Sequence, residues 1–440
     1  MNSNELRASE TPWQLTENKN WKCSKIKHHY EITLGKMLQN EPQSSGDLEV
    51  PYLKSQHVQA DRILMDSELP QMWANPWEIA NLNVKKGDLL VCEGGEIGRS
   101  AIISSKPPDN CIIQNALHLV RPKRTGDVNF LKYLLNHAIS QKWLDVLCNK
   151  ATIAHFTVEK FSQMSIWLPP LSEQKAIADY LDKETAKIDQ LIEAKKRLLE
   201  LLDEKRRALI THAVTRGLNP DVPMRDSGVE WIGEIPQHWK VINLKFLGQV
   251  RTGVAKGRNL GTRETLHVPY LRVANVQDGY LDLSDISAIE VLPEEVSSFN
   301  LKKGDVLMNE GGDADKLGRG AIWDGSINPC LHQNHVFAVR CFSVEPIWLT
   351  TVTKANYSKA YFESRAKQST NLASISVTNL RELPVVIPPK QERKIIIEFI
   401  ESAISNLDQL FYIARQTIQL LQERRTSLIT AAVTGQIKIT

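Results

Sequence analysis

The stretch VKKGDLLVCEGG at residues 84–95 returns as LKKGDVLMNEGG at residues 301–312. Other segments recur at nearly the same separation: PYLKSQHVQ at 51–59 and PYLRVANVQ at 269–277, FTVEKFSQMSIWLPP at 156–170 and ISVTNLRELPVVIPP at 375–389. The separation is about half of the 440-residue chain, which is far longer than a solenoid repeat. Each copy is therefore a whole domain with a connector, and the chain is expected to meet a partner at two related places.

Bulk composition limits the class of protein. No apolar run reaches the roughly 18 residues of a membrane span, and the start MNSNELRASE lacks the basic and apolar regions of a signal peptide. The six cysteines form no CxxC pair, which favours a reducing cytosol, so we expect a cytoplasmic protein without a membrane contact. The net charge of only +3 means that any DNA binding must come from locally concentrated charge.

Each half divides into a mixed region and a helical tail. The mixed regions, residues 1–170 and 219–388, contain short apolar runs such as HLVRP and VFAVR, separated by Gly, Pro, Asn and Asp. In both copies KKGD is typical of a turn that leads into a strand. We therefore predict an α+β fold with two duplicated domains and mostly antiparallel strands.

The tails, residues 171–218 and 389–440, are long runs with helical periodicity. Leu181, Ile188 and Leu202 recur at heptad spacing in the first tail, and Ile400 and Leu407 begin the matching row in the second. We assign a second row to Leu191 and Leu198, and to Ala403 and Leu410. Two heptad helices in one chain favour an antiparallel coiled coil that relates the two halves by a pseudo-twofold axis, although two separate amphipathic helices would fit the same pattern. The segment 216–239, rich in Pro, Gly and Asp, is interpreted as a linker.

Four segments together resemble one known family. They are LPPLSEQKAIADYLD at 168–182, DSGVEWIGEIPQHWKV at 226–241, PYLRVANVQDG at 269–279 and KKGDVL at 302–307. The chain resembles the specificity (S) subunit of type I restriction-modification systems, the HsdS family, over essentially its whole length. The second connector departs from the signature because Arg393 stands where the first has Gln174.

The resemblance implies a particular role. Each recognition domain would read one half of a split double-stranded DNA target, and the helices would set the distance between the halves. Two methyltransferase (M) subunits would dock on the helices, and restriction/translocase (R) subunits would join them. S-adenosylmethionine, ATP and Mg would be bound by those partners and none of them by this chain, which would have no catalytic or metal-binding residues. The residues agree independently, since two similar domains on a rigid spacer suit two half-sites.

Catalytic motifs were sought as a test of the alternatives. The sequence has no NPPY-type segment, no phosphate-binding GxxxxGK[ST] loop and no HExxH. The pair Gly94-Gly95 and its counterpart at 311–312 are interpreted as turns between strands, and Asp203 with Lys205 as a solvated helix face. Two alternatives stay open: a nuclease with a duplicated domain, and a protein-binding scaffold.

Loops that differ between the copies are the best candidates for reading bases. The second domain has the basic loop RTGVAKGRNLGTRE at 251–264, whereas the first has LQNEPQSSGD at 38–47. Because arginine to guanine is the commonest specific contact, the basic loop is expected to read bases. The candidates in this loop are Arg251, Lys256, Arg258 and Arg263.

Two further regions supply candidates. Lys54 and Arg272 share a position and suit phosphate contact, and near them lie Gln56, His57, Asn275 and Gln277. The loop before the exit strand supplies Lys150, Thr152 and His155 in the first copy, and Lys367, Ser369 and Asn371 in the second. Gln114-Asn115 and Gln333-Asn334 are identical in both copies, which favours a structural role for them.

Overall fold

The computed structural model describes residues 11–439 apart from 15, 17, 19, 60–61, 66–67, 149–154, 313–316, 319 and 369–372. The chain divides into two compact units, residues 1–195 with 416–440, and residues 196–415. Each unit holds one mixed domain and a segment of each long helix. None of the described helices combines the length and apolarity that crossing a membrane requires.

The first unit contains nine strands among its described residues. They are β1 (Lys22–Lys25), β2 (Tyr30–Leu34), β3 (Leu48–Leu53), β4 (Gln71–Ala74), β5 (Leu89–Cys92), β6 (Ser100–Ile102), β7 (Ile112–Ile113), β8 (Leu117–Pro122) and β9 (Ser165–Leu168). Its helices are α1 (Pro76–Leu82), α2 (Val128–Ser140), α3 (Trp143–Cys148), α4 (Val158–Gln163) and the start of α5 (Leu171–Arg216).

The second unit repeats this set after a hairpin of its own, β10 (Met224–Asp226) and β11 (Glu234–Pro236). The strands that follow are β12 (Lys240–Asn243), β13 (Gly248–Arg251), β14 (Leu266–Leu271), β15 (Ser287–Val291), β16 (Val306–Asn309), β17 (Gly311–Gly312), β18 (Gly320–Ile322), β19 (Leu331–His332), β20 (Val336–Cys341), β21 (Lys367–Gln368), β22 (Ala373–Ser374) and β23 (Pro384–Ile387). The helices are α6 (Pro293–Phe299), α7 (Pro346–Thr353), α8 (Asn356–Arg365), α9 (Val377–Arg381) and α10 (Lys390–Val433).

The two domains share one sheet topology. A four-stranded sheet has the order β2-β8-β5-β6 in the first domain and β13-β20-β16-β18 in the second. A three-stranded sheet has the order β4-β3-β7 and β15-β14-β19, and the entry strand pairs with the exit strand as β1-β9 and β12-β23. Only the pairs β3-β7 and β14-β19 are parallel among the described strands, so the predicted α+β class with mostly antiparallel strands is confirmed.

Local sequence explains where the shorter elements begin. In α1 the side chain of Asn75 accepts a hydrogen bond from the Glu78 N–H at 2.9 Å, while the Glu78 carboxylate accepts one from the Asn75 N–H at 3.0 Å. Pro76 at the first helical position completes this capping box. The predicted KKGD turns lead directly into β5 and β16, whose residues are all buried.

The long helices run antiparallel within each unit. In the first unit Ile177 and Leu181 share a core cluster with Ile429 and Val433, while Asp189, further along α5, pairs with Arg425 of α10 at 2.9 Å. In the second unit Arg206 of α5 pairs with Asp408 of α10, and the later residues Ile210 and Val214 share a cluster with the earlier residues Ile396 and Ile400. The predicted antiparallel pairing of the two helices is confirmed.

The second row of the predicted seam is wrong. Leu181, Ile188, Leu202 and Leu407 are buried as expected, but Leu191, Leu198 and Leu410 are 51%, 37% and 49% exposed. The inward positions lie four residues after the first row instead of three, at Ile192 on α5 and Ile404 on α10. Leu191 and Ile192 are equally apolar, so the spacing alone did not decide which of them faces the neighbouring helix.

The segment interpreted as a linker is ordered. Residues 224–236 form the β10–β11 hairpin, and Arg225 donates hydrogen bonds to the carbonyls of Gln237 and Trp239. Trp239 is buried, and its indole N–H donates to Glu392 at 2.9 Å. Trp21 of the first unit makes the equivalent bond to Glu173 at 3.0 Å, so the duplicated tryptophan fixes each domain to the start of its own exit helix.

The replacement of Gln174 by Arg393 comes with a different hydrogen-bond partner. Gln174 is buried and accepts a hydrogen bond from the Asp127 N–H at 3.0 Å, while donating to the carbonyls of Thr125 and Pro169. Arg393 instead makes two hydrogen bonds to Glu345, at 2.8 and 3.1 Å. A charged pair therefore takes the place of an amide, and the helix keeps its position.

Candidate nucleic-acid interface

Four loops of each domain meet around the duplicated Gln-Asn turn. In the first domain the Gln114 N–H donates to the carbonyl of Leu53 at 2.8 Å and the Asn115 N–H to that of Lys36 at 2.9 Å. The Glu93 N–H donates to the Ala116 carbonyl at 2.9 Å. We call the resulting surface the loop face; in the first domain it comprises residues 35–47, 54–59, 93–98 and 114–116.

The second domain builds the same face. Gln333 N–H donates to Leu271 at 2.9 Å, Asn334 N–H to Val254 at 3.1 Å and Glu310 N–H to His335 at 2.9 Å. The second loop face comprises residues 253–265, 272–277, 310–312 and 333–335. The backbone role of both Gln-Asn pairs supports the structural interpretation that their duplication favoured.

One glycine in each domain permits this close approach. A Cβ on Gly35 would lie 2.2 Å from the Gln114 carbonyl oxygen, and one on Gly253 would lie 1.9 Å from that of His332. No side chain fits at such distances, so both positions require glycine. Gly94-Gly95 lie in the turn between β5 and β6, as predicted, whereas Gly311-Gly312 correct that interpretation because they form strand β17, which pairs with β22.

The exit loops reach the same surface. The Phe156 N–H donates to the Glu93 carbonyl at 2.9 Å, and the Ile375 N–H donates to the Glu310 carbonyl at 2.9 Å. His155 is exposed beside Gly94, and Lys367 lies in β21, which joins β22 and β17 in a small sheet. The predicted residues Lys150, Thr152, Ser369 and Asn371 lie outside the described residues.

Beneath each face lies a carboxylate–arginine pair that the sequence prediction missed. Asp88 accepts hydrogen bonds from Arg121 at 2.9 and 2.7 Å. Asp305, with a side chain only 1% exposed, accepts two from Arg340 at 2.8 and 2.7 Å and one from Arg251 at 2.9 Å. The duplicated Asp of KKGD and the Arg that follows HLV and FAV were the available signal.

This pairing corrects the expectation for Arg251. Its side chain is 15% exposed and is committed to Asp305, with a further hydrogen bond to the Ser298 carbonyl at 3.3 Å. Burial, followed by the charge of Arg340, lowers the pKa of Arg251. Arg251 thus belongs to the interior of the second domain and not to the surface of its loop.

His57 and Asn275 are also corrections, because both are buried inside their turns. His57 Nδ1 accepts a hydrogen bond from the Lys54 N–H at 3.1 Å, and Asn275 Oδ1 accepts one from the Arg272 N–H at 2.8 Å. Asn275 also donates to the carbonyls of Asp282 and Asp285. Burial, and then the charge of Lys54, lowers the pKa of His57. His57 and Asn275 therefore cap equivalent turns in the two domains.

Their neighbours remain at the surface. Gln56 is exposed, and Gln277 is half-buried with its amide donating to the Ala274 carbonyl at 2.7 Å. Lys54 and Arg272 occupy the same position before the turn; Arg272 pairs with Asp285 at 2.8 Å. These positions fit phosphate contact, and their assignment stays a prediction.

The basic residues of loop 251–264 differ in their exposure and in their hydrogen-bond partners. Lys256 is exposed. Arg258 makes two hydrogen bonds to Glu295, at 2.6 and 3.0 Å. Arg263 is exposed, and among the described residues its hydrogen bond is from Nε to the Leu260 carbonyl at 3.2 Å. Loop 35–47 in the first domain has no comparable basic surface, because its lysine, Lys36, pairs with Glu78 at 2.6 Å.

Metal chemistry finds no support at these faces. Within the part of the chain that the structure describes, no group of three or more His, Cys, Asp or Glu side chains is arranged to hold a metal ion. The loop faces present arginine, lysine and amide side chains on exposed loops that a sheet scaffold supports. Such a surface can bind phosphate and read base edges.

The family follows from the duplicated fold. The model of the type I restriction modification DNA specificity domain matches the chain twice, at residues 18–201 and 236–420. Two tandem specificity domains thus account for most of the sequence, and the chain belongs to this family.

Individual relatives agree with the assignment. The EcoKI specificity subunit of Escherichia coli K12 is 22% identical over 354 residues, which cover 78% of this chain and 72% of that protein. The MjaVIII specificity subunit of Methanocaldococcus jannaschii is 24% identical, covering 81% and 80%. The putative MjaX specificity subunit of the same organism is 26% identical, but the match covers only 45% of this chain and 46% of that relative.

Solved structures share the fold. A chain from a structure that describes complex assembly and conformational transition of a type I R-M system superposes with a TM-score of 0.66 at 14% identity, covering 96% of this chain and 99% of that chain. The HsdS subunit from Thermoanaerobacter tengcongensis superposes with a TM-score of 0.52 at 15% identity, covering 98% and 100%. The expected fold class and family are confirmed.

Proposed function

We propose that the chain is the DNA-specificity subunit of a type I restriction-modification complex in which each loop face reads one half of a bipartite target. Family membership supports the general role, and the duplicated loop face supports the division of labour. One scaffold is built twice, with the same Gln-Asn turn, the same essential glycine and the same Asp–Arg pair, but with different loops. This combination of a constant frame and altered loops carries the proposal.

The two halves of the target differ in this account. Apart from Arg251, which is bound to Asp305 in the interior, loop 251–264 has three basic residues and one acidic residue, whereas loop 35–47 has one lysine, Glu41 and Asp47. Arg and Lys favour guanine contacts, while amides such as those of the first loop suit adenine. The second domain therefore reads a half-site richer in guanine contacts than the first.

The connector helices provide the spacer and a docking surface. In each unit the two helices also expose leucines outside the seam: Leu191 on α5 and Leu420 on α10 in the first unit, and Leu198 and Leu201 on α5 and Leu410 on α10 in the second. An exposed apolar stripe of this kind marks a protein interaction site. We assign it to two methyltransferase subunits, whose helices would complete a bundle with α5 and α10.

Chemistry belongs to the partners in this account. The methyltransferase subunits bind S-adenosylmethionine and methylate adenine, and the restriction/translocase subunits use ATP and Mg. This chain contributes recognition and spacing and no catalytic residue. The free cysteines among the described residues suit a reducing cytoplasm, where such a complex acts.

The decisive test is co-expression with a methyltransferase subunit, followed by sequencing of the modified adenines. The proposal predicts one motif with two specified halves separated by a fixed run of unspecified bases. Methylation without a bipartite motif would contradict it.

Binding measurements separate the alternatives. Duplex binding by the complex that weakens steeply between 50 and 200 mM salt, as expected of phosphate neutralisation, supports DNA recognition. Salt-independent assembly with proteins and no duplex binding would support the scaffold alternative. Cleavage of DNA by the purified chain alone would support the nuclease alternative.

A further inference from the structure

The two domains retain an ion pair beside the loop face that comparing the two halves of the sequence does not reveal. Glu78 and Glu295 hold the same place, the third residue of α1 and α6, and each accepts a hydrogen bond from the backbone N–H just before the helix. Each also pairs with a basic residue of the neighbouring loop, Lys36 in the first domain and Arg258 in the second.

The basic partners come from different points of their loops. Lys36 forms an isolated parallel β-bridge with Gln114, and Val254 forms one with Gln333. Lys36 and Val254 are therefore equivalent positions. Arg258 lies four residues beyond Val254. The carboxylate thus stays in place while the cation comes from a new position, so the ion pair itself is the retained feature. We call Arg258–Glu295 the anchor pair.

The anchor pair occupies both terminal nitrogens of Arg258. Nη1 and Nη2 donate to the two carboxylate oxygens of Glu295, and the side chains are 32% and 19% exposed. The hydrogen bonds from Arg258 and from the Leu292 N–H lower the pKa of Glu295 to about 2. Reading guanine takes two N–H donors of an arginine at once, and the edge of Arg258 formed by its two terminal nitrogens is already committed to Glu295.

The loop depends on this anchor for its position. It arches over a cavity of about 360 Å³ lined by residues that include Lys256, Arg258, Arg272 and Gln333. Gly257 and Gly261, with φ of +77° and +65°, turn the backbone on either side of Arg258 and lead it to Arg263. Because the loop spans a cavity, the ion pair sets where the following residues stand.

Arg263, whose charge also acts on Glu295, keeps both terminal nitrogens free of hydrogen bonds to the described residues. Its Nε donates to the Leu260 carbonyl at 3.2 Å, which orients the guanidinium, and the side chain is exposed. We infer that Arg263 is the base-reading arginine of the second domain and that Glu295 is a positioning residue, acting through Arg258 to hold the loop that carries it. This inference rests on the proposed function and names the residue that performs it.

The test uses the full chain in complex with its methyltransferase subunit. Methylation rates are measured on duplexes altered at each base pair of the second half-site in turn. Arg263→Ala is expected to lower discrimination at one base pair by roughly 5- to 150-fold. Lys256→Ala, a matched loss of charge in the same loop, should weaken binding to all duplexes while leaving base preference unchanged.

The positioning role has its own test. Glu295→Gln should lower discrimination at the same base pair as Arg263→Ala, and the charge-reversed double variant Arg258→Glu with Glu295→Arg should restore it. Glu78→Gln, the equivalent change in the first domain, should leave the second half-site unaffected. Unchanged reading of the first half-site in every second-domain variant confirms that the chain is folded.

Two results overturn the inference. One is an Arg263→Ala complex with full discrimination at every base pair; the other is an Arg258→Ala complex that loses a base pair distinct from the one lost with Glu295→Gln. Either can occur while the wild-type complex still methylates a bipartite motif. Failure of the proposed function is a different outcome, since the wild-type complex itself would then lack such a motif.

Discussion

Loop 35–47 and loop 251–264 occupy the same place in their domains but are held in different ways. The first is organised from within: the carboxylate of Asp47 accepts hydrogen bonds from the Gln43 N–H at 2.8 Å, the Ser44 hydroxyl at 2.6 Å and the Gln39 amide at 3.0 Å. These bonds, led by that of Ser44, lower the pKa of Asp47 to about 2. Both loops are also held from outside by an ion pair, the first through Lys36–Glu78 and the second through Arg258–Glu295 of α6, so the internal carboxylate of Asp47 is the difference.

The frame beneath the loops hardly differs. Both domains keep the sheet order, the close-packed glycine, the buried tryptophan bonded to glutamate and the Asp–Arg pair. The comparison shows that the frame tolerates a new loop as long as the loop supplies the basic residue that pairs with the neighbouring helix. A domain of this kind can acquire a new target by exchanging its loop and keeping its frame.

The largest expected effect lies where the two frames differ most, at the Asp of KKGD. Asp305 holds two arginines, whereas among the described residues Asp88 holds one, Arg121. Asp305→Ala strands two partly buried cations and should destabilise the second domain by about 3–5 kcal/mol. Asp88→Ala should cost the first domain about 1–3 kcal/mol.

Hydrogen exchange resolved by peptide measures each domain separately, which matters because a two-unit chain need not unfold in a single step. Equal losses in the two variants would contradict the difference between the frames.

A smaller effect is expected where the frames agree. Gly35→Ala and Gly253→Ala both force a methyl group against a backbone carbonyl, so each should destabilise its own domain by about 1–3 kcal/mol, with most of the loss at the loop face. A Cβ on Gly46 in the first loop would meet nothing closer than the Ser44 hydroxyl at 3.9 Å, and the backbone there is open to any residue, so Gly46→Ala is the matched control. Thermal denaturation should show no change for Gly46→Ala; a neutral Gly253→Ala would show that the turn is looser than described.

The smallest effect on stability is expected on the outer row of the helices. Leu198→Ser should change the free energy of unfolding by less than about 0.5 kcal/mol, because Leu198 is exposed. Leu202→Ala, one turn away in the buried seam, should cost about 2–5 kcal/mol. Calorimetry checks both.

The same two residues separate docking from folding. Capture of the methyltransferase subunit should weaken with Leu198→Ser even though the variant stays folded. Undiminished capture would move the docking surface away from this row.

Much of this architecture could be predicted from the sequence, because the duplication is visible in recurring segments such as 84–95 and 301–312. The KKGD turns, the strands containing Val120 and Val339 and the two long helices follow from local patterns. The second seam was misassigned because the residues three and four after Ile188, Leu191 and Ile192, are both apolar. The segment before Trp239 looked like a linker, but strand pairing, the Arg225 hydrogen bonds and the burial of Trp239 organise it as a hairpin.

Site residues were harder to predict, because their partners are distant in sequence. Arg251 sits in a basic loop, and nothing local indicates that Asp305 will bury it. His57 and Asn275 are polar residues in a variable turn, and their burial depends on backbone groups that the fold brings close. The anchoring role of Glu295 was invisible for the same reason, since Arg258 is 37 residues away.

The central claim is that each domain reads its own half of the target on a shared frame. The most direct test replaces residues 219–388 with the second domain of another family member and sequences the adenines methylated by the resulting complex. The account predicts that one half of the motif is exchanged while the other half stays unchanged. A motif altered in both halves, or in neither, would contradict it.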